Sequence, residues 1–259
     1  LAKLTINGKT VECPDENKKL LRFLRDDLRL TSVKDGCSEG ACGTCMVLID
    51  GKATNACIPI VQKLEGKNIL TVEGLSQREK DVFAYCFGVT GAVQCGFCIP
   101  GMVISSKALL GQNPTPTREE VKKAIRGNLC RCTGYVKIED AILLAADFIR
   151  YDKAIPEINY TGKLGEDFLR VDACEKTLGT GIYVDDIVVE NMVYAKCLRS
   201  RYPRARVLSI NTKEAEEHPD CIRVITAKDI PGQNKIGHII HDWDTLIAVQ
   251  DITRYVGDA

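Results

Sequence analysis

Cys37, Cys42 and Cys45 stand as C-x4-C-x2-C inside Gly36-Cys37-Ser38-Glu39-Gly40-Ala41-Cys42-Gly43-Thr44-Cys45, and no other feature restricts the possible folds so sharply. Thiols so close in sequence cannot be spread through separate parts of a core. The small residues between them leave the backbone free to curl round whatever the sulfurs hold. The 259-residue chain has 13 cysteines in all. Its N-terminus lacks the basic and apolar regions of a signal peptide, and no apolar run approaches the ~18–20 residues of a membrane span. The expected setting is therefore a reducing cytoplasm, where thiols serve as metal ligands or catalytic groups more often than as crosslinks. Basic and acidic residues balance at 35 each, so charge gives no reason to expect nucleic acid or an anionic membrane as a partner.

The length suggests one or two domains at ~150 residues each, and the patterning changes along it. Asn7-Gly8 suits a type I′ turn between strands 2–6 and 9–13, with Leu4 opposite Val11 and Ala2 opposite Cys13. After Pro14 a helix reads from about Glu16 to Leu28, its stripe formed by Leu20, Leu21, Leu24 and Leu28. The cysteine loop leads into a second hairpin, Met46 to Ile49, turning at Asp50-Gly51 and returning through Cys57. Strands with a helix across them imply an α+β layer up to about Gly74. Four helices follow. Ser76 with Glu79 and Thr117 with Glu120 read as capping boxes, Pro100 can begin a helix ending at Gly111, and Ile138, Ala141, Ile142, Ala145 and Ile149 mark the last stripe. Tyr151 to Gly165 reads as a linker, and strand-like runs return at Met192 to Leu198 and Arg206 to Ile210.

C-x4-C-x2-C is the spacing of a plant-type ferredoxin loop, which holds a [2Fe–2S] cluster. With Asp50-Gly51 as the turn, Cys45 falls opposite Ala56 and Thr44 opposite Cys57. Cross-strand Cβ atoms lie ~5 Å apart, so Cys57 returns to the loop as a fourth ligand. Cys95 and Cys98, then Cys130 and Cys132, form a second set, separated by two helices. A helix of ~11 residues rises ~16 Å and one of ~9 returns ~14 Å, which brings Cys98 and Cys130 together. Cys95 and Cys98 also precede a helix start, where partial positive charge favours an anionic group. On spacing alone, a zinc site or buried free thiols are the alternatives. Cys13, Cys86, Cys174, Cys197 and Cys221 read as buried, inert thiols, and His218, His238 and His241 show no ligand spacing.

With these residues set out, the chain resembles the molybdenum hydroxylases, the xanthine dehydrogenase and aldehyde oxidoreductase family. GCSEGACGTC with Cys57 resembles the family's ferredoxin-like cluster loop, and GAVQCGFCIPGM with GNLCRCTGY its helical second cluster domain. At lower specificity, GIYVDD (181–186), AKDIPG (227–232) and YVGD (255–258) resemble the opening of the molybdenum-cofactor domain. The whole is most similar to bacterial xanthine dehydrogenases of the selenium-dependent type.

The resemblance implies an α+β chain in successive parts: a β-grasp ferredoxin-like domain at 1–75, a four-helix-bundle [2Fe–2S] domain at 76–150, a linker at 151–165, and at 166–259 the incomplete N-terminal part of an α/β hammerhead-like molybdopterin-binding domain. It assigns Cys37, Cys42, Cys45 and Cys57 to one cluster and Cys95, Cys98, Cys130 and Cys132 to the other. Gln94, otherwise read as a solvated loop residue, and Cys132 are implied to contact the pterin. The implied work is electron transfer from a molybdenum centre, which oxidises a purine such as xanthine or an aldehyde, through two clusters to flavin or another acceptor. A stand-alone two-cluster carrier is the alternative. The linker is too short to fold as a flavin domain, so FAD is expected only on a separate chain. The family's active-site glutamate lies beyond Ala259, so no catalytic residue is expected here. The molybdenum site is expected on the remainder of the polypeptide or on another chain, and these 259 residues alone are expected to be inactive.

Overall fold

The computed structural model describes residues 1–166 and 168–259. Asn7 and Gly8 take φ of 50° and 80°, joining β1 (Ala2–Ile6) to β2 (Lys9–Cys13) with Leu4 facing Val11 and Ala2 facing Cys13. The next helix begins at Leu20 rather than near Glu16. Asp15 captures the Asn17 N–H on its side chain at 3.1 Å and the Lys18 N–H on its carbonyl at 3.1 Å. That local turn competes with helix until Lys19. The helix α1 (Leu20–Arg22) then widens into a π-helical turn over Phe23–Asp27.

Asp50 and Gly51, at φ 47° and 79°, turn β3 (Met46–Ile49) into β4 (Lys52–Asn55), and β5 (Asn68–Leu70) completes a sheet of order β2-β1-β5-β3-β4. Only β1 and β5 run parallel among the four pairings. Alternation puts Ala2, Leu4, Ile6, Val47 and Ile69 on one buried face, against Leu20, Leu21, Phe23 and Leu24.

A helical layer follows: α2 (Gln77–Val89), α3 (Ile99–Gln112), α4 (Arg118–Ile125) and α5 (Val136–Arg150). Both capping boxes form. Ser76 and Thr117 accept the N–H groups of Glu79 and Glu120, whose carboxylates accept the cap N–H groups at 3.0 and 2.7 Å. Val82, Phe83, Cys86 and Phe87 of α2 share a core with Met102 and Val103 of α3 and Ala141, Ile142 and Ala145 of α5. Sheet and helices together make a multi-domain α+β chain.

By its internal contacts the chain forms two units, Leu1–Ile187 and Val188–Ala259. The first unit includes α6 (Ala173–Leu178), whose Ala173 and Thr177 are buried. The second unit contains α7 (Lys213–Glu216), a 3-10 turn at Ala227–Asp229 and a two-residue pairing of β6 (Lys235–Ile236) with β7 (Trp243–Asp244). The strand-like runs at 192–198 and 206–210 are not strands. Val193, Tyr194 and Leu198 are exposed with no ladder beside them, and Arg206 makes only an isolated bridge to Ile252. Alternating apolar residues become a strand only where a neighbour takes up their backbone groups.

The capping boxes give a pH signature. Burial alone would raise the Glu79 carboxyl, but its bonds to Lys107 and Ser76 outweigh that and hold it low. Its contribution is therefore present above the usual glutamate range and is lost as pH falls through the lowered value. Urea unfolding should show Ser76→Ala destabilising the chain by about 1 kcal/mol at neutral pH, and Glu79→Gln flattening the acid limb of stability against pH.

Candidate functional site

The loop from Gly36 to Cys45 joins the helix of the N-terminal layer to β3. Ala56 N–H donates to the Cys45 carbonyl at 3.1 Å, continuing the β3–β4 register one residue past its last named pair and bringing Cys57 to the loop. Asn55 Nδ2 donates to the Gly40 carbonyl at 2.7 Å and fixes the loop's crest. The four thiols gather at the loop: Cys37 is a neighbour of Cys42, and Cys45 lies close to both Cys57 and Cys42. Cys45 and Cys57 are buried, and Cys37 and Cys42 are half-buried.

Their electrostatics differ accordingly. The Glu39 N–H, 3.4 Å from the Cys37 sulfur, and the Cys42 side chain favour the thiolate and bring Cys37 down to about 7. Burial pushes Cys45 up to about 12. Cys42 Sγ lies 3.2 Å from Thr44 Oγ1, and the Thr44 hydroxyl donates to the Lys34 carbonyl at 3.2 Å.

The second set also gathers, with Cys98 close to both Cys130 and Cys95. Cys98 occupies the N-cap of α3 and Cys130 follows α4, so the α3–α4 hairpin closes them on each other. Cys132 Sγ lies 3.6 Å from Cys95 Sγ, and both residues are exposed. Burial pushes the Cys98 thiol up. Burial would raise Cys130 too, but the Thr133 hydroxyl, at 3.2 Å, and the N–H groups of Cys132 and Thr133 outweigh it and hold the thiol low. The bond shared with Cys95 raises Cys132. Gln94 is exposed beside Cys95.

A seam of backbone joins the two sets. Gly43 has φ 70°, and a Cβ there would lie 2.2 Å from the Gly127 carbonyl oxygen. Across this contact Leu129 N–H donates to the Cys42 carbonyl at 2.8 Å, and Asn128 Nδ2 donates to the Gly43 carbonyl at 2.9 Å. Asn128 is 1% exposed, and its Oδ1 accepts from Ser105 Oγ at 2.7 Å. Tyr135 donates its hydroxyl to the Asn128 carbonyl and accepts the Cys130 N–H at 2.8 Å. Thr44 lies within GCSEGACGTC and Asn128 and Tyr135 within GNLCRCTGY, but the spacing of those motifs assigns a role to the cysteines alone.

Of the five remaining cysteines, Cys13 and Cys86 are buried as expected, Cys86 pushed up to about 12 by burial. Cys174 and Cys197 are exposed and Cys221 is half-buried. The first lies on the outer side of α6 and the second in a run without a partner strand, so apolar neighbours in sequence did not place them in a core. His218, His238 and His241 are all exposed. The seam makes its own prediction. Asn128→Ala leaves the Gly43 carbonyl with only the Met46 N–H and takes the acceptor from the buried Ser105 hydroxyl, which should cost about 1–3 kcal/mol in chemical denaturation.

Comparison with known proteins agrees with this geometry. Residues 4–69 match the 2Fe-2S iron-sulfur cluster binding domain family, residues 71–143 the [2Fe-2S] binding domain family, and residues 178–259 the aldehyde oxidase and xanthine dehydrogenase a/b hammerhead domain. The nicotinate dehydrogenase small FeS subunit of Eubacterium barkeri is 47% identical over 146 residues, 56% of this chain and 93% of that protein. The aldehyde oxidoreductase of Megalodesulfovibrio gigas is 33% identical over 98% of this chain, which spans only 30% of that protein's length. A solved aldehyde oxidoreductase from Desulfovibrio gigas superposes with a TM-score of 0.88 at 31% identity, covering 100% of this chain and 31% of that one. With two cluster-binding domains in succession and relatives that match at these levels, the chain belongs to the molybdenum hydroxylase family and comprises its iron–sulfur portion.

Proposed function

We propose that this chain holds two [2Fe–2S] clusters and carries electrons singly between the molybdenum centre of a hydroxylase and an acceptor. Cys37 with Cys42, and Cys45 with Cys57, would hold the two irons of one cluster. Cys95 with Cys132, and Cys98 with Cys130, would hold those of the other. The gathering of four thiols at each of two places carries the reading, the first set with the C-x4-C-x2-C spacing of a plant-type [2Fe–2S] loop. Burial of Cys45 and Cys98 adds support, since a thiolate there needs a cation beside it.

When bound, each cluster supplies a one-electron carrier whose potential depends on charge, hydrogen bonds and solvent round its sulfurs. The chain's own groups set those conditions. The Glu39 N–H and the Thr133 hydroxyl donate to Cys37 and Cys130, and Leu129 links the two sets through one hydrogen bond to Cys42. The five-stranded sheet with its helix supports reading 1–75 as a β-grasp ferredoxin-like domain, and α2 to α5 support a four-helix cluster domain at 76–150. For 151–165 we keep the role of linker, and for 166–259 that of the start of the molybdenum domain. The match of 178–259 to the hammerhead family favours this reading over a free-standing carrier.

The relatives' names speak of nicotinate and aldehyde, and another relative is named a xanthine dehydrogenase iron-sulfur-binding subunit. For this chain we propose a purine, a related nitrogen heterocycle or an aldehyde as the substrate of the assembly. The molybdenum site would lie on the remainder of the polypeptide or a separate chain, with Gln94 and Cys132 contacting its pterin. Any flavin would come from another chain. No helix among the described residues is long and apolar enough to cross a membrane.

Anaerobic preparation with iron and sulfide should give about four irons per chain and two distinct reduced-state paramagnetic signals. Cys57→Ala should remove one signal and leave the other. A colourless protein with stoichiometric zinc, or survival of both signals in the variant, would contradict the ligand assignment.

A further inference from the structure

Residues 173–187 lie across both layers of the first unit. Buried Ala173 and Thr177 seat α6 against the helices, where Ala173 Cβ lies 3.8 Å from the position a Cβ on Gly88 of α2 would take. Gly179, at φ 76°, presses its backbone on the N-terminal layer, and a Cβ there would lie 2.5 Å from Ser32 Cα. Tyr183 then donates its hydroxyl to the Cys95 carbonyl at 2.6 Å. Its ring meets Phe97 edge-on at 5.3 Å, and Lys34 Nζ stands 4.7 Å from the ring centre. Asp186 accepts from Arg25 at 2.7 Å and Lys34 at 3.0 Å, with side chains 9%, 1% and 5% exposed for Arg25, Lys34 and Asp186. The same carboxylate accepts the Tyr183 N–H at 3.1 Å.

Two buried cations on one carboxylate are a poor way to add stability, since apolar groups of the same volume often do as well. What the ion group does supply is direction. It allows one register of the segment against Arg25 and Lys34, and that register aims the Tyr183 hydroxyl. The ligand loop it meets needs such a contact, because Cys95 and Cys132 are exposed and lack the packing that fixes Cys98.

We propose that Tyr183 and Asp186 are positioning residues for the second thiol set: Asp186, anchored by Arg25 and Lys34, fixes Tyr183, whose hydroxyl holds the Cys95 carbonyl and so orients the Cys95 thiol beside Cys132. The inference rests on the cluster assignment above. It extends that assignment from the ligands to a segment well beyond the cysteine motifs in sequence.

The test uses the full 259-residue chain. Tyr183→Phe keeps the ring against Phe97 and Lys34 and removes only the donor. In the metal-free chain, amide hydrogen exchange across Cys95 to Cys98 should quicken about tenfold, as expected for one lost hydrogen bond. In the iron-loaded chain, the signal that survives Cys57→Ala should change shape and its iron should pass to a chelator faster, with the other signal unaltered. Asp186→Asn should give the same selective pattern, and it serves as the test if Tyr183→Phe does not fold. Unchanged exchange, or equal change in both signals, overturns the inference. An unsubstituted chain that takes up no cluster contradicts the assignment under Proposed function, while the exchange measurement still decides the role of Tyr183.

Discussion

The contact of Gly43 with Gly127 and Asn128 is the constraint on which the rest of the first unit depends. Two thiol sets arise in separate layers, one at the mouth of a hairpin and one where two helices meet. Each can be closed by local geometry alone. What local geometry cannot do is hold the sets at a fixed spacing, and that falls to a backbone approach only glycine permits at φ 70°. Close approach lets the Leu129 N–H reach the Cys42 carbonyl and buries Asn128, whose amide then satisfies the Gly43 carbonyl and the Ser105 hydroxyl. The first two of these bonds involve a proposed ligand, Cys42, or its neighbour Gly43.

Burial and charge divide the thiols into complementary halves. Within each set one pair is more buried and the other more open, and the inner Cys45 and Cys98 have their thiols pushed up by burial. A thiolate at such a position is costly without a cation, so under the proposed ligand assignment metal binding and folding would depend on each other. The outer pairs depend instead on donors aimed at sulfur, and on the Tyr183 bond to the Cys95 backbone. The ion group of Arg25, Lys34 and Asp186 extends this dependence to the far end of the unit.

Much of this was legible from residue order, for reasons that are local. Asn-Gly and Asp-Gly force positive φ, so both hairpins and their registers could be read, and with them the return of Cys57 to its loop. Capping boxes are short-range and equally readable. The helix start near Glu16 was misplaced because Asp15 spends its acceptors on a turn that hydrophobic periodicity does not report. The runs at 192–198 and 206–210 failed for a different reason: period-two patterning says which residues would share a face, not whether a neighbouring strand exists. Asn128, Tyr183 and Asp186 lie inside the motifs GNLCRCTGY and GIYVDD, yet their roles were not readable because those depend on partners 85, 88 and 161 residues away. No single sequence carries that information in its spacing.

Under the proposed assignment the seam holds the two cluster sites at one fixed separation. Low-temperature paramagnetic resonance of the fully reduced chain measures it directly. Mutual spin–spin splitting of the two signals, present when both clusters are reduced and absent when only one is, is the predicted result. Two full-intensity signals that stay independent on complete reduction would contradict it.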